Sequence, residues 1–350
     1  MSKNFDVVVV PDFAGANPFT FEMRTLFFLA AWMEYAGTAR EFPLHLACIG
    51  SPPPSVQMLA KRCNASISVH LPANTVAKQF TNKLRGLEIQ GQTNRVLLLD
   101  ADVLILGDFS DLSELGHCIA AAPSNLPRIA KKDWMRIYSS LGMSLPTEQI
   151  MPIRGEIGLP VLLKKDYAEQ ESEMNSMLPY YNSGVIFAPW ECKLQQPWED
   201  NIHRISALFE GADASAEGDL AALRICDQAS FAVTIEQFKR SGMPFRRLPA
   251  AFHSNRLHLY RRTATLSQTK LYHALGLFRG TTATSFNIND PKFSRLGSQK
   301  RCRREWTLND KPNPYAYMRY LLPALKDSRR LDDILRTLYK RYVHEALMQN

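Results

Sequence analysis

A chain of 350 residues, 45% hydrophobic and 22% charged, is long enough for one large domain or two small ones with a real core, and too apolar to be disordered. Its net charge of +8 is uneven: from Arg240 onward 22 basic residues face 7 acidic ones, a balance of +15, so the part before carries −7. That asymmetry fits an anionic partner, a membrane surface or a basic face in water. No run is apolar for long enough to span a bilayer, since the nearest, TLFFLAAWMEYAG, is short and broken by Glu34.

The start, MSKNFDVVVV, enters a strand pattern at once and lacks a signal-peptide layout. The six cysteines (Cys48, Cys63, Cys118, Cys192, Cys226 and Cys302) are scattered without metal-type pairing, which fits free thiols in a reducing compartment. The expectation is a cytoplasmic, or membrane-peripheral, protein.

In chain order, FDVVVV (Phe5 to Val10) reads as a buried strand closed by Pro11 and the loop DFAGANPFT, with a helix from about Phe21 to Tyr35. LHLACIG reads as a strand, PPPSVQMLAKRC as a turn and helix, ASISVHLP as a third strand, KQFTNKLRGLEIQ as a helix, and RVLLLD as a fourth strand. Strands alternating with helices imply a mainly parallel, buried sheet. Ligands of such sheets bind beyond the strand C-termini, and Asp100 and Asp102 fall at the end of RVLLLD.

From 124 to 180 the pattern loosens, with Pro127, Pro146, Pro152, Pro160 and Pro179 and one helical stretch, KKDWMRIYSSLG. A long insertion of this kind suits a lid or an acceptor wall. YYNSGVIFAPW (Tyr180 to Trp190) returns to strand character, and GDLAALRICDQASFAVTIEQF is helical. Pro244 to Gly280 is rich in turns, and Asp327 to Leu347 carries Leu331, Ile334, Leu335, Leu338, Tyr342 and Ala346 at helical spacing.

A carboxylate beside a core is costly unless paired, hydrogen-bonded or bound to a cation. Residues i and i+2 of a strand point the same way, so Asp100 and Asp102 can face one ion, and Ala101 between them leaves room for a substrate. A cation bound to a diphosphate needs such hard oxygen ligands and open positions. A capped turn is the plain alternative for the pair.

The stretch TNKLRGLEIQGQTNRVLLLDADVLILGDFSDL resembles the donor-binding core of GT-A glycosyltransferases, most closely the retaining group of glycogenin and the bacterial lipopolysaccharide glucosyl- and galactosyltransferases. Lys83 stands on the preceding helix, YNSGVIF follows at Tyr181 to Phe187, and Asp227 and Gln228 form an Asp-Gln pair at a helix start. HALGLFR matches the family's histidine turn at His273 and Gly276, with Arg279 where lysine is usual. The blocks keep the family's order from about Phe5 to Gly280.

That resemblance implies a GT-A, Rossmann-like α/β fold: a mixed, mainly parallel sheet flanked by helices. It implies a catalytic domain over 1–285, with an acceptor-side insertion at about 124–180, and a basic helical extension over 286–350. Asp100, Asp102 and His273 would bind the metal, Mn²⁺ or Mg²⁺, with His253 as second choice for the imidazole. Lys83, Gly276 and Arg279 would meet the diphosphate, alongside Ala101 and Ser183. Asn182, Asp227 and Gln228 would hydrogen-bond the transferred sugar, and the loop from Asp12 to Asn17 would hold uracil and ribose. The implied reaction moves a hexose from a UDP-sugar to a glycan, lipid-linked glycan or protein acceptor, with retention. The insertion is longer than usual for the group and no KPW follows the histidine turn, so the acceptor does not carry over.

Two other readings compete. A haloacid-dehalogenase-type phosphatase also has DxD after an apolar strand, but it continues with threonine where this chain has Val103 and Leu104. A non-catalytic nucleotide-sugar or glycan-binding module on the same fold would need no intact ligand set. The basic C-terminal helix, with Arg329, Arg330, Arg336, Lys340 and Arg341, suits either an anionic membrane or a solvated face. Nucleic acid is not expected, because the basic residues lack interleaved aromatics.

Overall fold

The computed structural model describes residues 4–15, 18–73, 78–124, 129–153, 176–209, 226–253, 268–273, 307–308, 311–312, 334–335 and 337–348. The apolar runs of the sequence become strands β1 (Asp6–Val10), β2 (Leu44–Ile49), β3 (Ser66–His70), β4 (Arg95–Asp100), β5 (Val103–Ile105), β6 (Ile119–Pro123), β7 (Tyr181–Pro189), β8 (Phe245–Arg247) and β9 (Leu271–His273). Seven of them form one sheet in the order β3-β2-β1-β4-β7-β6-β8. β1 pairs in parallel with β2 and β4, and β2 with β3, whereas β7 runs antiparallel to β4 and β6. The sheet is therefore mixed and mainly parallel, the layout expected of a GT-A fold.

Because side chains alternate along a strand, the sheet carries two cores. Val7, Val9, Leu97, Leu99, Val185 and Phe187 face helices α1 (Pro18–Tyr35) and α2 (Pro54–Arg62). Val8, Val96, Leu98, Ile186 and Ala188 face α4 (Lys131–Ser140), α5 (Gln195–Phe209) and α6 (Cys226–Arg240). Helix α3 (Lys78–Leu84) leads into a 3-10 turn at Arg85–Leu87, shorter than the helix expected there. Helix α5 was not anticipated, although Trp198, Ile202, Ile205 and Phe209 lie on one helical face and are buried. It packs on α6 through Trp198 Nε1 to Ser230 Oγ (3.0 Å) and Asn201 Nδ2 to Thr234 Oγ1 (2.9 Å).

The ends of the expected insertion meet where the Ser124 N–H reaches the Tyr180 carbonyl (2.8 Å), and within it Ile150 pairs with Met177; residues 125–128 and 154–175 lie outside the described part. Cys48, Cys63, Cys118 and Cys192 are free, as expected.

The last described segment is helical through a π-turn at Tyr339–Val343 and α7 (His344–Met348). Its apolar side, Leu335, Leu338, Tyr339, Val343 and Ala346, is buried in the same core as α1 and α2. Tyr342 donates its hydroxyl hydrogen to Glu34 (2.7 Å) and Arg62 pairs with Glu345 (2.8 Å). No helix of the described residues is long and apolar enough to cross a membrane.

At the opposite end of the sheet from Asp100, Asp6 is fully buried. Its carboxylate accepts hydrogen bonds from His45 Nε2 (3.0 Å), the Gln92 and Thr93 N–H groups (2.9 and 3.0 Å), Thr93 Oγ1 (2.8 Å) and Trp190 Nε1 (2.8 Å). Burial alone would raise its pKa, but these donors together hold it well below the usual carboxylate range. A lowered folded-state pKa contributes stability that is complete above the unfolded value of about 4 and lost as pH falls below it. Asp6→Asn turns an all-acceptor group into one that also donates, so it should destabilise by about 2–4 kcal/mol at neutral pH. Urea melts at pH 7 and pH 3.5 test this: the gap to wild type should narrow in acid, and equal gaps at both pH values would contradict it.

Candidate active site

β4 ends at Asp100, paired in register with Val10 at the end of β1. The chain turns through Ala101 and Asp102 and enters β5, which pairs antiparallel with β9, Val103 opposite His273. This short ribbon brings a histidine from far along the chain to the two aspartates. One ligand atom from each of Asp100, Asp102 and His273 lies within 4.8 Å of the others. His273 Nε2 is 2.9 Å from Asp102 Oδ1 and 3.6 Å from Asp100 Oδ2. His253, the other candidate, does not face the carboxylates but stands behind His273, with Nε2 2.8 Å from His273 Nδ1.

Two cations and a third carboxylate complete the cluster. Lys83, near the end of α3, puts Nζ 2.7 Å from Asp100 Oδ1 and 3.8 Å from Asp227 Oδ2. The same amine donates to the Ser183 carbonyl (3.0 Å) and hydroxyl (3.1 Å), and Ser183 Oγ donates to Asp227 (2.8 Å). Arg24 of α1 approaches Asp102 Oδ2 at 3.5 Å.

Burial disfavours charge on Lys83, Asp100, Asp102, His253 and His273, and the partners decide the outcome. Burial would lower Lys83, but Asp100 and Asp227 outweigh it and raise its pKa. Burial would likewise lower His273, but Asp102 and then Asp100 raise it. Asp102 is held well below the usual range because His273 and Arg24 overcome its burial. Asp100 goes the other way: burial pushes it up, helped by Asp102, and Lys83 and His273 do not fully compensate. His253, enclosed and beside His273, is held well below the ordinary histidine value.

The remaining expected positions gather at the same edge. Asn182 and Ser183 are buried at the start of β7. Asn182 Oδ1 accepts the N–H of Gly184 (2.9 Å). At Gly184 the absence of a side chain matters, since a Cβ would lie 2.4 Å from His273 Cε1 and 2.6 Å from Nδ1. Asp227 and Gln228 open α6, half-buried, and Ala101 is 5% exposed between the aspartates. Asp12, just past β1, accepts from Asn82 Nδ2 (2.8 Å) and from the Ala14 N–H (3.1 Å), which fixes the loop after the strand. Asn82 Oδ1 in turn accepts the Ala73 N–H (2.7 Å). Gly276 and Arg279 lie outside the described residues, as do Asn17 and most of the C-terminal part. Sequence reasoning missed Arg24 and Asn82. Asn82 adjoins Lys83 in the same block, whereas nothing in the pattern of α1 singles out Arg24.

Two carboxylates and an imidazole are a donor set suited to a divalent cation, and the buried setting strengthens charge interactions there. The residues fit the metal that the resemblance implies.

Residues 49–239, more than half of the chain, match the family model described as the Rhodobacterales glycosyltransferase domain. No curated protein matches by sequence. Similar solved structures include mouse xyloside xylosyltransferase 1 in its apo form, 12% identical with a TM-score of 0.42 over 79% of this chain and 99% of that one. The galactosyltransferase LgtC in complex with donor and acceptor sugar analogues is 12% identical, TM-score 0.39, over 77% and 86% of the two chains. GlyE of Streptococcus pneumoniae TIGR4 is 12% identical, TM-score 0.37, over 98% and 64%.

Proposed function

This chain belongs to the Rhodobacterales glycosyltransferase domain family, and on that premise we propose that it moves a hexose from a UDP-sugar to a glycan, lipid-linked glycan or protein acceptor with retention of configuration. The observation that carries the reading is the convergence of Asp100, Asp102 and His273 beside Lys83 and Asp227 at the sheet edge. Asp100, Asp102 and His273 would hold a divalent cation, best Mn²⁺ given the imidazole, which would supply a Lewis acid for the charge that develops on the leaving diphosphate.

The chain's own groups do the rest. Lys83 stands ready to exchange part of its hold on Asp100 for a phosphate oxygen, with no new charge to bury. Ser183 keeps Asp227 oriented, so that this carboxylate, with Asn182 and Gln228, accepts or donates hydrogen bonds at the sugar hydroxyls. The loop braced by Asp12 and Asn82 receives the uracil and ribose. Gly276 and Arg279 add a close backbone approach and a second cation at the diphosphate. The described C-terminal helix would meet an anionic membrane through its charges, because its apolar side is buried.

Calorimetric titration of UDP and GDP into the purified chain, with Mn²⁺ and with EDTA, tests this reading. UDP should bind with Mn²⁺, more tightly than GDP, and lose that binding in EDTA. Absence of nucleotide binding in every condition would remove the UDP-sugar donor.

A further inference from the structure

His253 lies outside the ligand set, yet it is completely enclosed, 0% exposed. Its backbone is fixed on both sides: its own N–H reaches the Ala250 carbonyl (3.2 Å), and the Lys270 N–H reaches Ala251 (2.8 Å), tying this turn to the segment that leads into β9. The His253 and His273 rings stand 5.0 Å apart at 43°, with Nε2 of the first 2.8 Å from Nδ1 of the second.

We infer that His253 is a positioning residue for the metal ligand, accepting the Nδ1–H of His273 so that Nε2 of His273 stays bare and aimed at the cation. The inference rests on the metal reading given above. An imidazole that ligates through Nε2 carries its one proton on Nδ1, and in a buried site that proton needs an acceptor. Ligating histidines are held through that second nitrogen as a rule, which fixes tautomer and ring angle together. Here Nε2 of His273 faces both aspartates, and the only acceptor recorded at Nδ1 among the described residues is His253.

A second observation argues against a purely structural histidine. With Nε2 of His253 accepting, its own proton sits on Nδ1, and that atom has no hydrogen-bond partner among the described residues. A buried polar atom without a partner costs stability that an apolar ring of similar size would not. The fold carries this cost at the position that touches the proposed metal ligand. A neutral acceptor also suits the site better than the more usual carboxylate, since Asp100, Asp102 and Asp227 already crowd three negative charges there.

Mn²⁺ binding to the full chain in the presence of UDP, followed by electron paramagnetic resonance, separates the possibilities. His253→Phe should weaken Mn²⁺ binding by about 10- to 100-fold. His253→Gln, whose amide oxygen can take the same N–H, should restore binding to within a few-fold of wild type. A merely structural role would move the melting temperature of both variants and leave the Mn²⁺ affinity where it was. Wild type that binds Mn²⁺ alongside a His253→Phe variant of equal affinity overturns the inference alone. Wild type that takes no Mn²⁺ overturns the metal reading, and the inference falls with it. Should the phenylalanine variant fail to fold, nitrogen NMR of ring-labelled histidines in the Mg²⁺-loaded wild type decides. A proton on Nδ1 of His253 is expected there, and one on its Nε2 would overturn the proposal.

Discussion

Asp102→Asn should lower sugar transfer, read as UDP release from the proposed UDP-sugar donor, by about a thousandfold, roughly 4 kcal/mol of transition-state stabilisation. The substitution keeps the shape of the side chain and removes the charge that both His273 and Arg24 address. It also takes from the cluster the carboxylate that counts most in raising the affinity of His273 for its proton. Stability should fall as well, because the substitution unpairs His273 and Arg24 from a buried carboxylate, although Lys83 stays paired with Asp100 and Asp227. Asp6→Asn supplies the contrasting control: a buried aspartate at the far end of the sheet, whose loss should cost folding and spare the transfer rate of the folded protein. Unimpaired UDP release by Asp102→Asn would show that transfer does not need the Asp102 charge.

Gly184→Ala is the second large effect expected, and it acts on folding and activity at once. The added carbon would lie 2.4 Å from the His273 ring, and that ring cannot retreat, being 3% exposed and held between His253 and Asp102. Relief requires β7 or β9 to shift. Overpacking of this kind costs about 1–3 kcal/mol, and displacing a ligand by about an ångström costs on the order of a hundredfold in rate. Denaturant melts together with Mn²⁺ binding check both halves. Normal Mn²⁺ affinity in this variant would mean that His273 can move without leaving the ligand set.

Much of the site was legible because its chemistry leaves marks on neighbouring residues. Asp100 and Asp102 announce themselves by following VLLL, a run that must be buried, and the structure ends β4 there. YNSGVIF and the Asp227-Gln228 pair were legible as blocks, and the fold brings Ser183 and Asp227 of those blocks into one hydrogen bond. What could not be read is what tertiary pairing supplies. The choice between His253 and His273 depends on the register of β5 with β9, and a three-residue strand has too little pattern to reveal its partner. Arg24 looks like any helix cation until α1 is laid across the sheet end. Helix α5 was overlooked although Trp198, Ile202, Ile205 and Phe209 keep helical spacing, because polar residues dominate its first turns. The C-terminal helix was read as amphipathic, which it is, but amphipathicity alone does not say whether protein or lipid covers the apolar side.

The β5–β9 ribbon has a consequence in time. All seven strands of the main sheet precede residue 248, whereas the imidazole that completes the ligand set waits for residue 273. During synthesis the sheet's strands therefore leave the ribosome before the chain can coordinate a cation with its full donor set. The proposed ligand set is thus completed after the sheet, and a nascent or truncated chain that stops short of β9 carries the two aspartates without the histidine.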